Sequence, residues 1–322
     1  MALPEFSILR SEADERLRNA RYCPKKMILI HTGIVLLVSA LLTAVNYLLD
    51  QQIAGTGGLS GVSTRSLLTT VQTVLQLAQS IALPFWQIGY TYYILRLARE
   101  KDTRPADLAQ GFRRFGPVLR LKLITGCIYL GIAFACLYIS STIFMFTPWG
   151  EQMMIMLESA TGDILSDEAA LMEVVSTATS TFQIPILLLF LGCFLVMAAP
   201  FFYRFRMAEY WLMDHDGCGA MNALRCSRIL MRGNCLNLLK IDLRFWWYFL
   251  LDGLVSVVCY GDMILELLGI SLPIDPSISY FLFFGAYLLM QLGLYVWRRN
   301  EVNVTYALVY QSLLPPEQEP TV

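Results

Sequence analysis

The residue best suited to chemistry in this sequence is Asp252, a carboxylate inside a long apolar run. It lies about seven residues, or roughly 10 Å of helix, into that run. An ionisable group at such a depth costs several kcal/mol unless it is paired or hydrated, so it indicates a functional site. We consider two interpretations: a proton- or cation-binding carboxylate, and a hydrogen-bonded carboxyl that fixes helix packing.

A second polar group lies in another apolar run, where Pro84 interrupts a helical pattern and frees a backbone carbonyl. Helical spacing places four amide side chains on one face of this run, broken by Leu83. Such a stripe could line a hydrated cavity, or it could form interhelical hydrogen bonds, and both interpretations stay open. The four residues are Gln72, Gln76, Gln79 and Gln87.

Arginines form a third group, outside the apolar runs. Arg225, Arg228 and Arg232 follow the spacing i, i+3, i+7, which aligns them on one helix face. Arg113 and Arg114 lie in an amphipathic stretch earlier in the chain. Helices of this kind lie flat on a membrane with arginines among lipid phosphates. They serve either as anchors alone or as a site for an anionic lipid or a partner.

Composition indicates that a bilayer surrounds these residues. The chain of 322 residues is 56% hydrophobic and 15% charged, whereas soluble domains are about 45–50% apolar and about 25% charged. A net charge of −1 gives no basic field for nucleic acid. None of the eight cysteines forms a C-x-x-C pair, and we interpret them as reduced, buried apolar residues.

Six apolar runs are long enough to span a membrane, which predicts an all-α bundle. Of the 24 Lys and Arg residues, Arg65 alone falls on the side opposite the others when the spans alternate. The positive-inside rule then places both termini in the cytoplasm. The predicted spans are 27–49, 67–97, 121–147, 182–203, 245–268 and 278–298.

These runs divide the chain into regions. An N-terminal amphipathic helix (1–26) precedes the transmembrane domain (27–299), and a cytoplasmic tail (300–322) follows it. Two cytoplasmic elbows, 98–120 and 204–244, and an acidic outer loop, 148–180, connect the spans.

The sequence also indicates a repeat in which both copies have the same orientation. The segment from Ala82 to Trp86 (ALPFW) corresponds to the segment from Ala198 to Phe202 (AAPFF), and a basic elbow follows each. A weaker third copy would be split between the two termini. Three hairpins would then surround a pseudo-threefold axis.

One passage resembles a known family. The segments 207–214, 223–234 and 239–246 are similar to a bacterial multi-pass membrane family of unknown function, DUF975, in which an elbow ending in Gly-Asn precedes an aromatic span. Here that elbow ends in Gly233-Asn234, and the matching part of the following span runs from Leu239 to Trp246. Asp242-Leu-Arg departs from the small polar residue expected before the aromatic. The resemblance implies a membrane bundle with no settled activity.

Three function classes follow. The first is a non-enzymatic cell-membrane protein that binds lipids, another membrane protein or a second copy of itself. The second is a transporter of small solutes or ions that uses Asp252 and the glutamines of the second span. The third, an intramembrane enzyme, lacks support because no nucleophile–base pair, metal-ligand set or phosphate loop occurs in the sequence. We therefore expect no cofactor.

Overall fold

The computed structural model describes residues 4–55, 61–164, 168–267 and 276–315. Within these ranges the chain is helical and has no β-strand, which confirms the all-α class. A 3₁₀-helix (Pro105–Ala109) precedes α4, and a π-helical turn (Tyr295–Arg299) joins α13 to α14. The α-helices are α1 (Phe6–Asn19), α2 (Pro24–Gly55), α3 (Gly61–Ala98), α4 (Gln110–Arg113), α5 (Phe115–Met145), α6 (Pro148–Ile164), α7 (Glu168–Phe205), α8 (Ala208–Asp214), α9 (Ala220–Leu230), α10 (Cys235–Arg244), α11 (Trp246–Val258), α12 (Gly261–Leu267), α13 (Pro276–Leu294) and α14 (Asn300–Leu313).

Four helical segments among the described residues are long and apolar enough to cross a membrane. They match the first, third, fourth and sixth predicted spans, extended at their ends. Their surfaces are apolar as well as their sequences, since large side chains such as Phe134, Val196 and Leu289 are at least 66% exposed. Lipid is the solvent in which such surfaces are stable. The four segments are Pro24–Gln52, Phe115–Met145, Thr181–Asp214 and Ile278–Leu313.

The other two predicted spans differ from these four. The second, 67–97, lies in α3, which is long enough but carries the glutamines and several threonines that reduce its hydropathy. The fifth, 245–268, is divided into α11 and α12 at Cys259 and Tyr260. The 13 residues of α11 are apolar but too few to cross a bilayer core alone.

The chain forms two compact units. The smaller unit, Lys122–Phe205, consists of most of α5, α6 and α7. Its core contains the buried residues Ile132, Cys136 and Ala198, with aromatic side chains of α7 packed around them. Cys136 and Met197 contribute their sulfur atoms to this core, 3.5 Å apart.

The larger unit contains residues 1–121 and 206–322. Its centre is α14, whose side chains Val304, Val309 and Tyr310 are fully buried. α14 packs against α3 and α1, and α8 packs against α3. The segment predicted as a C-terminal tail is therefore a core helix over Asn300–Leu313, because apolar and aromatic residues occupy most of its faces.

Close packing holds the predicted elbow 98–120 on α3. A Cβ atom at Gly89 would overlap the carbonyl oxygen of Leu108, and one at Gly111 would overlap that of Phe85. The backbones can approach this closely because both residues lack a side chain. The 3₁₀-helix and α4 thus lie directly against the second half of α3.

The other connections are mainly helical too. The predicted elbow 204–244 contains α8, α9 and α10, and Gly233 turns the chain between α9 and α10 with a φ of +82°. Glycine adopts this left-handed conformation without the steric cost that other residues have. The predicted outer loop 148–180 contains α6 and the start of α7, separated by residues 165–167, which lie outside the described ranges.

Candidate functional site

The three aligned arginines lie on the exposed side of α9 and just after it. We call Arg225, Arg228 and Arg232 the arginine stripe. All three side chains are exposed, and within the described part of the chain none has a carboxylate partner. Large apolar side chains of the same segment are exposed beside the stripe, Met221 by 66% and Ile229 by 65%. A basic stripe beside apolar residues is the surface that an amphipathic helix presents to a membrane.

The sequence of α9 explains why the stripe faces outward. The opposite face consists of small or apolar residues, and Ala220, Ala223, Leu224 and Ser227 are buried. This face packs against α8. The helical period then leaves positions 225 and 228 on the free side, and Arg232 lies in the turn that follows the helix.

Other arginines of the larger unit are held inside the protein. Arg99 forms a bidentate ion pair with Asp214, with its Nη2 2.7 Å from Oδ2, and the hydroxyl of Tyr310 donates to the same oxygen at 2.9 Å. Asp214 is nearly inaccessible, with 2% of its side chain exposed. The ion pair and the hydrogen bond together satisfy both oxygens of this buried side chain.

A second cluster repeats this arrangement one helical turn earlier in α14. Arg206 lies 3.5 Å from Asp242, and the hydroxyl of Tyr306 donates to that carboxylate. The guanidinium of Arg206 also lies over the Tyr306 ring, 4.1 Å from its centre. Sequence reasoning assigned no role to these tyrosines. Their i, i+4 spacing was the available signal, but the aspartates that they reach are 64 and 96 residues away.

The two earlier arginine candidates differ from each other. Arg113 is exposed at the end of α4. Arg114 is half-buried: it donates to the backbone oxygen of Leu212 at 2.7 Å and pairs with Asp216. Arg114 therefore holds the turn after α8, and Arg113 alone of this pair is exposed.

The predicted intramembrane polar residues are distributed over separate contacts. Asp252 on α11 accepts a hydrogen bond from Gln291 of α13 at 3.0 Å, and Gln291 is 4% exposed. Gln72 instead donates to Asp50 of α2 at 3.2 Å. Along α3, Gln76 and Gln87 are exposed and Gln79 is half-buried. Asp252 thus pairs with a glutamine of the sixth predicted span, which sequence reasoning missed.

The cysteines differ in exposure and in acidity. Cys136 is buried, whereas the prediction of burial is wrong for Cys23 and Cys127, which are exposed. Backbone N–H groups of Lys26 and Lys25, at the start of α2, lower the pKa of the Cys23 thiol. Burial raises the pKa of the Cys218 thiol. Within the described residues, no three His, Cys, Asp or Glu side chains converge as metal ligands do.

Comparison with known proteins gives one match. The family model described as a protein of unknown function, DUF975, matches residues 7–313. No curated protein and no solved structure matches the chain. The match covers every helix described above except the first residue of α1, including the arginine stripe and both Arg–Asp–Tyr clusters. Because the match extends over nearly its whole length, this chain belongs to the DUF975 family of proteins of unknown function.

Proposed function

We propose that the chain is a non-enzymatic protein of the cell membrane that binds anionic lipid through the arginine stripe. The observation that carries this proposal is the contrast between two sets of arginines. Arg99 and Arg206 each pair with an aspartate, whereas Arg225, Arg228 and Arg232 are exposed and without a described partner. Unpaired guanidinium groups beside apolar side chains are suited to lipid phosphates.

We further propose the topology in which the stripe would meet the inner leaflet. It has six spans, α3 and the α11–α12 segment being the two of lower hydropathy or shorter length, with both termini cytoplasmic. The placement of nearly all Lys and Arg residues on one side supports this orientation. The elbow helices would then lie at the inner surface. The same exposed stripe could bind an acidic partner protein or a second copy of the chain.

The pseudo-threefold repeat also belongs to this proposal. Its support is a pairing seen three times in the larger unit: α3 packs against the 3₁₀-helix and α4, α8 against α9, and α14 against α1. In the first case α3 is covered by the elbow that follows it in sequence, and in the second case the first helix of the elbow 204–244 is covered by the next helix of the same elbow. The third case fits a copy split between the termini, with α1 as its elbow.

Native mass spectrometry of the detergent-solubilised protein tests the lipid proposal. We expect the wild-type protein to retain phosphatidylglycerol in preference to phosphatidylcholine. A variant with Arg225, Arg228 and Arg232 all changed to Gln should retain fewer phosphatidylglycerol molecules per protein, because phosphate contacts require the charge.

The matched control replaces the same three residues by Lys, which keeps the charge at each position. This variant should retain phosphatidylglycerol nearly as well as the wild-type protein. Circular dichroism should show the same helix content in all three proteins, since the side chains of the stripe are exposed. Equal phosphatidylglycerol retention by the Gln variant would overturn the proposal.

A second function, transport of a small solute or ion, is favoured by one observation. Asp252 lies within an apolar helix, and its partner Gln291 is buried with a side-chain oxygen that has no hydrogen-bond partner among the described residues. A buried acceptor beside a carboxylate provides ligands for a cation or a proton.

Flux measurements in proteoliposomes test this second function. If Asp252 carries protons or cations, a pH- or cation-sensitive dye should report flux through the wild-type protein and none through Asp252→Asn. Asn keeps the size of the side chain and the hydrogen bond from Gln291. A variant with unchanged flux, or a wild-type protein with none above empty liposomes, would contradict transport.

A further inference from the structure

A cavity of about 330 Å³ lies in the larger unit between α1, the junction of α10 with α11, and the π-helical turn. We call it the junction cavity. Its volume is at the lower end of the range of small-molecule sites, about 300–1,000 Å³. Arginines and aromatic residues dominate its lining, which includes Phe6, Arg10, Arg244, Trp247, Trp297 and Arg298.

The lining carries an excess of positive charge. Glu301 contributes the one carboxylate among the lining residues, and it already binds Arg10 at 2.8 Å through one oxygen and Arg298 through the other. Arg244 has no carboxylate partner within the described residues; its guanidinium lies 5.8 Å from the centre of the Phe6 ring. The lining therefore has three guanidinium groups but one carboxylate, and this excess of positive charge makes the site complementary to an anion.

The position of the cavity along its helices indicates what kind of anion it takes. Arg244 ends the amphipathic helix α10, and the apolar helix α11 begins at Trp246. Arg298 lies in the turn that follows the apolar helix α13. In both segments, apolar residues give way to basic residues at the level of the cavity. Membrane proteins show the same change at the surface of a bilayer.

The aromatic residues agree with this depth. Trp247 is 60% exposed and Trp297 is 63% exposed, and tryptophan concentrates at the level of lipid headgroups. Beyond the cavity, α11 continues with the exposed apolar residues Leu250 and Leu254. These residues would contact the acyl chains of a lipid. A free phosphate or a soluble metabolite has no acyl chain and would not contact them.

We propose that the junction cavity binds the phosphate headgroup of one anionic phospholipid, with its acyl chains along α11. The ligand class rests on the proposed lipid-binding function, but the site is separate from the arginine stripe. The stripe is an open surface that would contact many lipids weakly, while the cavity is a concave site that would hold one headgroup. The cavity therefore predicts a saturable site with a stoichiometry of one.

Lipid titration of the delipidated protein, followed by native mass spectrometry, tests this site. We expect one phosphatidylglycerol to bind more tightly than any that follow, and phosphatidylcholine to bind there at least tenfold more weakly. Inorganic phosphate should compete poorly, since it lacks acyl chains. A first site that binds phosphatidylcholine equally well, or that phosphate empties at equal concentration, would overturn the proposal without any variant.

Substitution then locates the site. Arg244→Gln should weaken the first phosphatidylglycerol about tenfold, since one charged hydrogen bond is lost. The Gln variant of the arginine stripe should keep that first lipid and lose the later ones. Unchanged first-site affinity in Arg244→Gln would reject the cavity. Unchanged later binding in the stripe variant would reject the proposed function instead, so the two failures are distinguishable.

Discussion

Two tyrosines of α14 stand one helical turn apart and bind two different aspartates. Tyr306 donates to Asp242, and Tyr310 donates to Asp214. Each aspartate also binds an arginine that directly follows a long helix. A single helix thereby connects α3, α8 and α10. At the scale of residues, these clusters explain why charge is tolerated inside the larger unit.

Tyr310→Phe should destabilise the protein without changing its shape. The substitution removes the hydroxyl that donates to Asp214 at 2.9 Å, and losing a hydrogen bond to a charged group costs about 1.5–3 kcal/mol. We expect a lower melting temperature in detergent. The control is Tyr22→Phe, because Tyr22 is 44% exposed and its hydroxyl has no partner among the described residues. Equal melting temperatures for the two variants would contradict this role.

Cys23 should react with iodoacetamide at lower pH than Cys218. Backbone N–H groups lower the pKa of Cys23, so more of it is the reactive thiolate near neutral pH, whereas burial raises the pKa of Cys218. Alkylation rates measured across pH by peptide mass spectrometry should therefore rise earlier for Cys23. The reverse order would show that the start of α2 does not stabilise the thiolate.

The 3₁₀-helix packs against α3 through a close backbone contact at Gly89. Among the described glycines of the larger unit, Gly89 has the least room for a side chain. Gly89 faces the carbonyl of Leu108 so closely that a single methyl group does not fit. At the scale of elements, this contact fixes the predicted elbow 98–120 against the helix that precedes it. Spacing of apolar residues predicted the amphipathic stretch, but it did not indicate which helix the stretch would cover.

Gly89→Ala should therefore displace the 3₁₀-helix and cost about 1–3 kcal/mol, the usual range for overpacking. The matched control is Gly126→Ala in α5, where a Cβ atom meets nothing within 4 Å. That control should be neutral or slightly stabilising, since alanine favours helix. Thermal unfolding in detergent compares them, and similar melting temperatures would mean that the backbone contact is not rigid.

At the scale of the whole molecule, the proposed topology predicts the side on which each fusion partner lies. Green fluorescent protein attached after Val322 should fluoresce in a bacterial host, and alkaline phosphatase at the same position should be inactive. Phosphatase attached after Glu151, in the predicted outer region, should be active. These expectations follow from the asymmetry of Lys and Arg. Phosphatase activity at both positions would contradict the orientation.

Sequence reasoning correctly predicted the features that depend on a single helix or helix face. The apolar runs predicted the long helices, and the spacing of Arg225, Arg228 and Arg232 predicted an exposed stripe. It did not predict the contacts between segments that are distant in the sequence, because periodicity does not indicate which helices pack against each other. The partners Asp214 and Tyr310 lie 96 residues apart. The tail 300–322 was predicted from its position after the last span, although its apolar residues form a buried helix.

The contact between α1 and α14 has a consequence for biosynthesis. Arg10 and Glu301 are joined by an ion pair across 291 residues of sequence. At about 5–20 residues per second, α1 leaves the ribosome roughly 15–60 s before α14 exists. During that interval the faces of α1 and α3 that α14 covers are open to water, lipid and chaperones. The larger unit therefore cannot complete its core until α14 has been synthesised.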